Sequence, residues 1–106
     1  MMVTELAAEA GDAVGQHNLG NCYYDGWGVT KNMRAARSWY QKAADQDDVG
    51  AIRKVGTMMV KGEGGNRKYD EGISLLERAA AENDVAAQEN LATIDESLRG
   101  MALRMV

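Results

Sequence analysis

Gly26 and Gly28, separated by one residue, are the first feature of the chain that could do chemistry. Closely spaced glycines occur in phosphate-binding loops, where backbone N–H groups approach a phosphate at the start of a helix. Such a loop follows a strand and usually carries a lysine after its last glycine, whereas Lys31 lies three residues beyond Gly28. The alternative is a tight corner between two helices, because glycine adopts the left-handed conformation that ends a helix.

Other residue types that perform catalysis are scarce. His17 is the only histidine, and a histidine among polar helix neighbours is more often a surface residue than a general base. Cys22 is the only cysteine, which excludes an internal disulfide and a multi-thiolate zinc site. The serines lie in helical patterns, away from any strand-to-helix elbow. We therefore predict no enzyme, no cofactor and no metal ligand.

The composition is that of a soluble globular protein. The 106 residues, 45% hydrophobic and 26% charged, predict a single domain over residues 1–106. With 12 basic and 16 acidic residues the net charge is −4, which disfavours nucleic acid and anionic lipid as partners. No apolar leader and no apolar stretch of about 20 residues is evident, so we expect a cytoplasmic protein.

The elements that position these residues follow from an internal repeat of 36 residues. Alanine pairs begin at residues 7, 43 and 79, and Asp12, Asp48 and Asp84 keep the same interval. Small or apolar residues recur with them at further positions: Leu19, Val55 and Leu91, and Gly28, Gly64 and Gly100. Repeats of this length are typical of solenoids.

Each period reads as two amphipathic helices. Apolar and small residues at steps of three and four predict helices near 3–10, 12–25, 33–46, 49–61, 69–82 and 85–99. The aspartates of the repeat are predicted N-caps, and Gly26 a C-cap. The fold class is all-α: an α-α superhelix of antiparallel helix pairs. About two and a half units are expected, over 7–42, 43–78 and 79–100, with a C-terminal tail over 101–106.

These residues resemble the Sel-one-like repeat (SLR) family, a relative of the tetratricopeptide repeat. "LGNCYYDGWGVTKNMRAARSWYQKAA", residues 19–44, is similar to the family's Leu-Gly-x-x-Tyr-x-x-Gly-x-Gly-Val pattern and its later Trp-Tyr-x-Lys-Ala-Ala. The resemblance implies that Trp39 and Tyr40 lie in the core. The second unit is degenerate, with Leu75 and Leu76 replacing Trp and Tyr. The third has Leu98 where the first corner glycine belongs, so its helix is expected to continue to Gly100 as a terminal cap.

A candidate binding surface lies opposite the packing face of the first helix of each unit. We call it the first-helix strip: His17, Asn21, Tyr24, Arg53, Thr57, Val60, Glu89, Thr93 and Glu96. Solvated residues without a role are the alternative interpretation. Trp27 is a further candidate, because aromatic anchors dominate interfaces, unless it only packs onto Tyr24. The residues predicted to bind a protein are His17, Asn21, Tyr24, Trp27, Arg53, Thr57 and Glu89.

A basic run, Lys31, Arg34, Arg37 and Lys42, precedes the acidic turn at 45–48. It predicts a solvated outer face, with a docking patch for an acidic partner as the alternative. The family resemblance favours a non-enzymatic adaptor that binds a protein or peptide, with self-association through the repeat ends as a further possibility. The alternatives are a small acidic inhibitor or immunity-type protein, and a hydrolase centred on His17. For the hydrolase, the β-lactam-binding SLR relatives offer a weak analogy, because this chain lacks their cysteine pairs.

Overall fold

Six α-helices follow one another along residues 2–104, and no strand occurs in that part of the chain. The structure is a computed structural model that describes the backbone of residues 2–104 and the side chains of residues 4–94. The helices are α1 (Met2–Glu9), α2 (Ala13–Asp25), α3 (Met33–Ala44), α4 (Val49–Lys61), α5 (Tyr69–Ala81) and α6 (Val85–Arg104). The predicted all-α solenoid of antiparallel helix pairs is confirmed. We call α2, α4 and α6 the first helices and α1, α3 and α5 the second helices.

The glycine pair is a corner between a first and a second helix. Gly26 and Gly62 have φ of 71° and 74°, in the left-handed region that closes a helix. The N–H groups of Gly26 and Trp27 both donate to the carbonyl of Cys22 at the end of α2. These N–H groups are therefore used within the helix end, which is why the corner is not a phosphate-binding loop.

The corner before each first helix repeats as well. The aspartate carboxylates accept hydrogen bonds from backbone N–H groups in the first turns of α2, α4 and α6, which confirms the predicted N-caps. One residue earlier the backbone is left-handed in all three units, at Gly11, Asp47 and Asn83. Both corners of the hairpin thus recur with the sequence period.

The core lies between successive helices. Leu19, Ala36, Tyr40 and Leu76 are at most 2% exposed. Tyr40 reaches this position because α2 has Gly20 opposite it: a Cβ at Gly20 would lie 2.6 Å from the Tyr40 ring. The single cysteine, Cys22, is buried and free.

Trp39 departs from its expected core position. It is only partly buried, and the Lys42 ammonium lies 4.3 Å from the centroid of its ring. The physical reason is helical geometry: adjacent residues point about 100° apart around a helix, so only Tyr40 of this pair faces α2 fully. The expectation that Trp39 is buried in the core was wrong.

The last helix is longer than its counterparts. α2 and α4 end one residue before Gly26 and Gly62, whereas α6 continues six residues past the equivalent Leu98, to Arg104. A non-glycine residue at this position lacks the easy left-handed turn. The predicted tail over 101–106 is therefore helical as far as Arg104, and residues 105–106 lie outside the described residues.

Candidate functional site

A periodic polar contact joins each first helix to the next. His17 Nδ1 lies 3.1 Å from Asp48 Oδ1, and Arg53 Nε lies 3.1 Å from Asp84 Oδ2. The two contacts are 36 residues apart at both ends. Because Asp48 and Asp84 also cap α4 and α6, each aspartate orders a helix end and links two units. His17 and Arg53, two members of the first-helix strip, are therefore structural contacts as well as surface residues.

Besides its contact with Asp48, the His17 ring packs against Gly50 and Tyr40. Its Cε1 lies 2.6 Å from where a Cβ at Gly50 would stand, so the absence of a side chain at Gly50 makes room for the ring. The ring also packs edge-on against Tyr40, with 5.7 Å between the ring centroids. These contacts give His17 a packing role at the junction between the first two units.

Tyr24 lies at the same junction and contacts the next unit. Its hydroxyl donates to the Glu63 carboxylate at 3.2 Å, and its ring centroid is 6.5 Å from that of Tyr40. Burial, and then the Glu63 charge, raise the pKa of Tyr24. Tyr40 is held from the other side by Asn21, whose side-chain oxygen accepts from the Tyr40 hydroxyl. Asn21 and Tyr24 are thereby brought together around one buried ring.

Lys54 covers the outer side of this cluster. Its ammonium lies 5.5 Å from the centroid of the Tyr24 ring, within range of a cation–π contact. Burial, and then the positive charge of Arg53, lower the pKa of Lys54. Lys54 and Glu63 were not predicted as site residues, although Glu63 lies one period after Trp27 and could have been found by that shift.

The junction between α4 and α6 is more open. The Asn90 side-chain amide donates to the Thr57 hydroxyl at 3.2 Å, and the Thr57 hydroxyl donates to the carbonyl of Arg53. Beside this bond is a groove of about 210 Å³. Its lining residues are Thr57, Val60, Lys61, Leu76, Asn90, Thr93 and Ile94.

The remaining predicted site residues lie toward the two ends of the strip. Trp27 is 77% exposed and borders a depression that Thr4 and Asn18 also line. Glu89 and Thr93 are exposed on α6, and the Glu96 side chain lies outside the described residues. His17, Asn21, Tyr24, Arg53 and Thr57 thus share the junctions of the first helices, whereas Trp27 and Glu89 stand apart from that group.

Some residues of the basic run make contacts that stabilise the fold. The Arg37 guanidinium donates to the carbonyls of Glu63 and Asn66, each at 3.1 Å, and so holds the second glycine corner against α3. Lys42 lies over Trp39, whereas Lys31 and Arg34 are exposed. Only part of the run is therefore a purely solvated face.

Between residues 4 and 94, no three His, Cys, Asp or Glu side chains are grouped so that they could hold a metal ion. None of the described helices is both long and apolar enough to cross a membrane.

Antiparallel helix pairs with a 36-residue period, glycine corners and aspartate caps define a repeat solenoid. The Sel1 repeat family matches residues 13–48 and 49–84. The chain belongs to the Sel1 repeat family. The matched units have the predicted period and begin six residues later than the unit boundaries read from the sequence.

Similar proteins include longer repeat proteins. A sel1-like repeat-containing protein of Acanthamoeba polyphaga mimivirus is 46% identical over 44 residues, which are 42% of this chain and 8% of that protein. A Sel1 repeat protein from Oxalobacter formigenes has a similar structure, with a TM-score of 0.84 and 29% identity. The match covers 89% of this chain and 27% of that chain.

Two further solved structures are similar. A protective antigen of uropathogenic Escherichia coli strains, which displays an SLR fold, has a TM-score of 0.79 and 35% identity over 86% of this chain and 20% of that chain. Cysteine-rich protein B of Helicobacter pylori shares the fold, with a TM-score of 0.74 and 24% identity over 81% and 65% of the two chains. This chain therefore spans only part of the length of each of these proteins.

Sel1 repeat proteins are generally protein–protein interaction modules and are typically non-enzymatic.

Proposed function

We propose that this chain is a non-enzymatic adaptor module that binds a partner protein or peptide on its helical-repeat surface, through the first-helix strip and Trp27. The residues assigned to binding are those predicted from the sequence, His17, Asn21, Tyr24, Trp27, Arg53, Thr57 and Glu89. The proposal includes a cytoplasmic location, no cofactor and no nucleic-acid partner.

The supporting observation is the ladder of contacts between first helices. His17 to Asp48, Arg53 to Asp84 and Asn90 to Thr57 hold side chains of the strip in fixed positions. A surface that is already ordered loses little conformational entropy when a partner binds, so more of the contact energy is available for affinity.

The two alternatives read from the sequence have no observation in their favour. A hydrolase centred on His17 would need an available imidazole, and this ring is packed against Tyr40 and paired with a helix-capping aspartate. An inhibitor of a basic effector would rest on the net charge of −4 alone. Neither is proposed further.

A pair of matched double variants tests the proposed surface. Thr93→Arg with Glu89→Arg changes the strip on α6, whereas Ser74→Arg with Glu77→Arg makes the same change in charge at exposed positions of α5. Each immobilised protein captures partners from the source lysate, and the captured proteins are quantified by mass spectrometry. We expect the α6 pair to lose a specific partner that the α5 pair retains. Equal capture by both pairs would show that the strip is the wrong surface.

A further inference from the structure

The two junctions between first helices are built from equivalent positions but are filled differently. At the first junction the Tyr24 and Tyr40 rings occupy the space between α2 and α4. The residues one period later are Val60 and Leu76, which are smaller and have no ring. Both of them line the groove between α4 and α6. The groove therefore lies where the first junction holds aromatic rings.

Its size and lining suit one side chain. At about 210 Å³ the groove is smaller than the roughly 300–1,000 Å³ typical of small-molecule pockets. Val60, Leu76 and Ile94 supply apolar carbon, and the Thr57 hydroxyl already donates to the Arg53 carbonyl and accepts from the Asn90 amide. An inserted side chain would thus gain apolar contact without leaving the Thr57 hydroxyl unpaired.

The charge around the groove is positive on its α4 side. Lys61 lines the groove, and Lys54 lies two turns earlier on the same helix. Among the described residues, no carboxylate lies within ion-pair distance of either ammonium. At the first junction Lys54 already lies over an aromatic ring, so Lys61 can make a similar contact with a ring in the groove.

We propose that the α4–α6 groove receives an aromatic side chain from an acidic peptide segment of the partner protein. The ring takes the place that Tyr24 fills at the first junction, and carboxylates beside it pair with Lys61 and Lys54. The surface continues the contact between α2 and α4 into the next pair of first helices, and its two lysines are complementary in charge to the peptide. This inference rests on the proposed function, because it names the chemistry of the partner at that strip.

Unlabelled pentapeptides with blocked ends are suitable probes. Gly-Asp-Phe-Asp-Gly carries the ring and the charges, Gly-Asp-Ala-Asp-Gly lacks the ring, and Gly-Lys-Phe-Lys-Gly reverses the charges. Isothermal titration calorimetry against the whole chain gives each dissociation constant. We expect the first peptide to bind saturably and the other two to bind at least about ten-fold more weakly.

The decisive test is a variant in which a larger side chain of the protein itself fills the groove. Val60→Tyr places a ring where Tyr24 has one and should weaken binding of the phenylalanine peptide at least about ten-fold. Val85→Tyr adds the same ring at a 62% exposed valine outside the groove and should leave binding within about two-fold. Circular dichroism checks that both variants fold. If Val60→Tyr does not fold, Val60→Leu replaces it, with a smaller loss expected in the same direction.

The results separate this inference from the proposed function. Equal binding of the three peptides, or unchanged binding by the folded Val60 variant, overturns the aromatic docking. Peptide binding that falls as the protein self-associates identifies a second copy as the occupant and also overturns it. If the peptides fail while the α6 double variant still loses a captured partner, the proposed function stands and the chemistry assigned to the groove is wrong.

Discussion

At the scale of single residues, the capping aspartates have two roles. Asp48 and Asp84 each accept from a backbone N–H of their own helix and from a side chain of the preceding unit. Because one carboxylate has several lone pairs, both bonds can form together. The same residues therefore order the helix starts and fix the spacing between units.

Removal of one partner tests this double role. Arg53 and Asp84 have side chains only 23% and 13% exposed, so Arg53→Ala leaves a poorly solvated carboxylate with one bond fewer. We expect the free energy of unfolding to fall by about 1–3 kcal/mol in urea titrations. Lys68→Ala is the control, because Lys68 and Glu71 are 3.8 Å apart and more than half exposed. It should change stability by less than about 1 kcal/mol, and an equal loss in both variants would contradict the account.

The buried phenol of Tyr40 makes a second residue-scale prediction. Burial, and then the charge of Asp25, raise the pKa of Tyr40 above its ordinary value of 10.0. Above pH 10 the unfolded chain releases this proton while the folded chain keeps it, so stability falls as pH rises, by about 1.4 kcal/mol per unit for this group. Urea titrations between pH 9 and 12 should show a shallower fall for Tyr40→Phe. Parallel curves for the two proteins would contradict it.

At the scale of helices, glycine sets the distance between α2 and α3. Gly20 allows the Tyr40 ring to approach the α2 backbone, and the equivalent Gly56 lies against α5, where a Cβ would be 2.9 Å from the Gly72 carbonyl. Because the two helices pack closely at these glycines, no larger side chain is needed to fill the space between them. Glycine residues at these contacts therefore set the distance between the helices.

Gly20→Ala should separate these helices. Its Cβ would lie 2.6 Å from a Tyr40 ring carbon, so either the ring or the helix must move. We expect a loss of about 1–3 kcal/mol from overpacking, which outweighs the gain in helix propensity. Asn18→Ala, at an exposed position of α2, is the control and should not destabilise the chain. Thermal unfolding of both variants gives the comparison, and a stabilised Gly20 variant would be inconsistent with the packing described.

The helices were predictable from sequence because spacing and caps are local. Asp12, Asp48 and Gly26 fixed the ends of α2 and the start of α4 to within one residue. The contacts across the strip were not predictable from the sequence. A repeat period identifies equivalent positions but does not show which side chains meet. The bond from Tyr24 to Glu63 of the next unit, for example, was not predicted. The groove depends on the size of the side chains. Tyr24 and Tyr40 fill one junction, whereas Val60 and Leu76 leave the other open.

At the scale of the whole molecule, the solenoid is an extended body with unequal junctions. Its principal extents are 54 × 28 × 18 Å, and each helix packs mainly on its neighbours in sequence. The first junction is closed by Tyr24, Tyr40 and Lys54, and the second is open at Val60. A partner that covers both junctions therefore contacts packed side chains at the first junction and an open groove at the second.

Trp27 gives a whole-molecule prediction, because it follows α2, whereas the groove lies between α4 and α6. Its side chain is 77% exposed, so Trp27→Ala should leave the melting temperature nearly unchanged. If Trp27 anchors the natural partner, the variant should weaken capture of that partner by roughly ten-fold or more while the phenylalanine pentapeptide still binds. Unchanged capture would remove Trp27 from the binding surface and leave the groove unaffected.

The most direct measurement is a titration of ¹⁵N-labelled chain with Gly-Asp-Phe-Asp-Gly, followed in two-dimensional ¹H–¹⁵N NMR spectra. The account predicts that backbone shifts concentrate at Thr57, Val60, Asn90 and Thr93, with the amides of Tyr24 and Trp27 changing little. Shifts centred on the glycine corners, on the α3 and α5 faces, or nowhere at saturating peptide would contradict it.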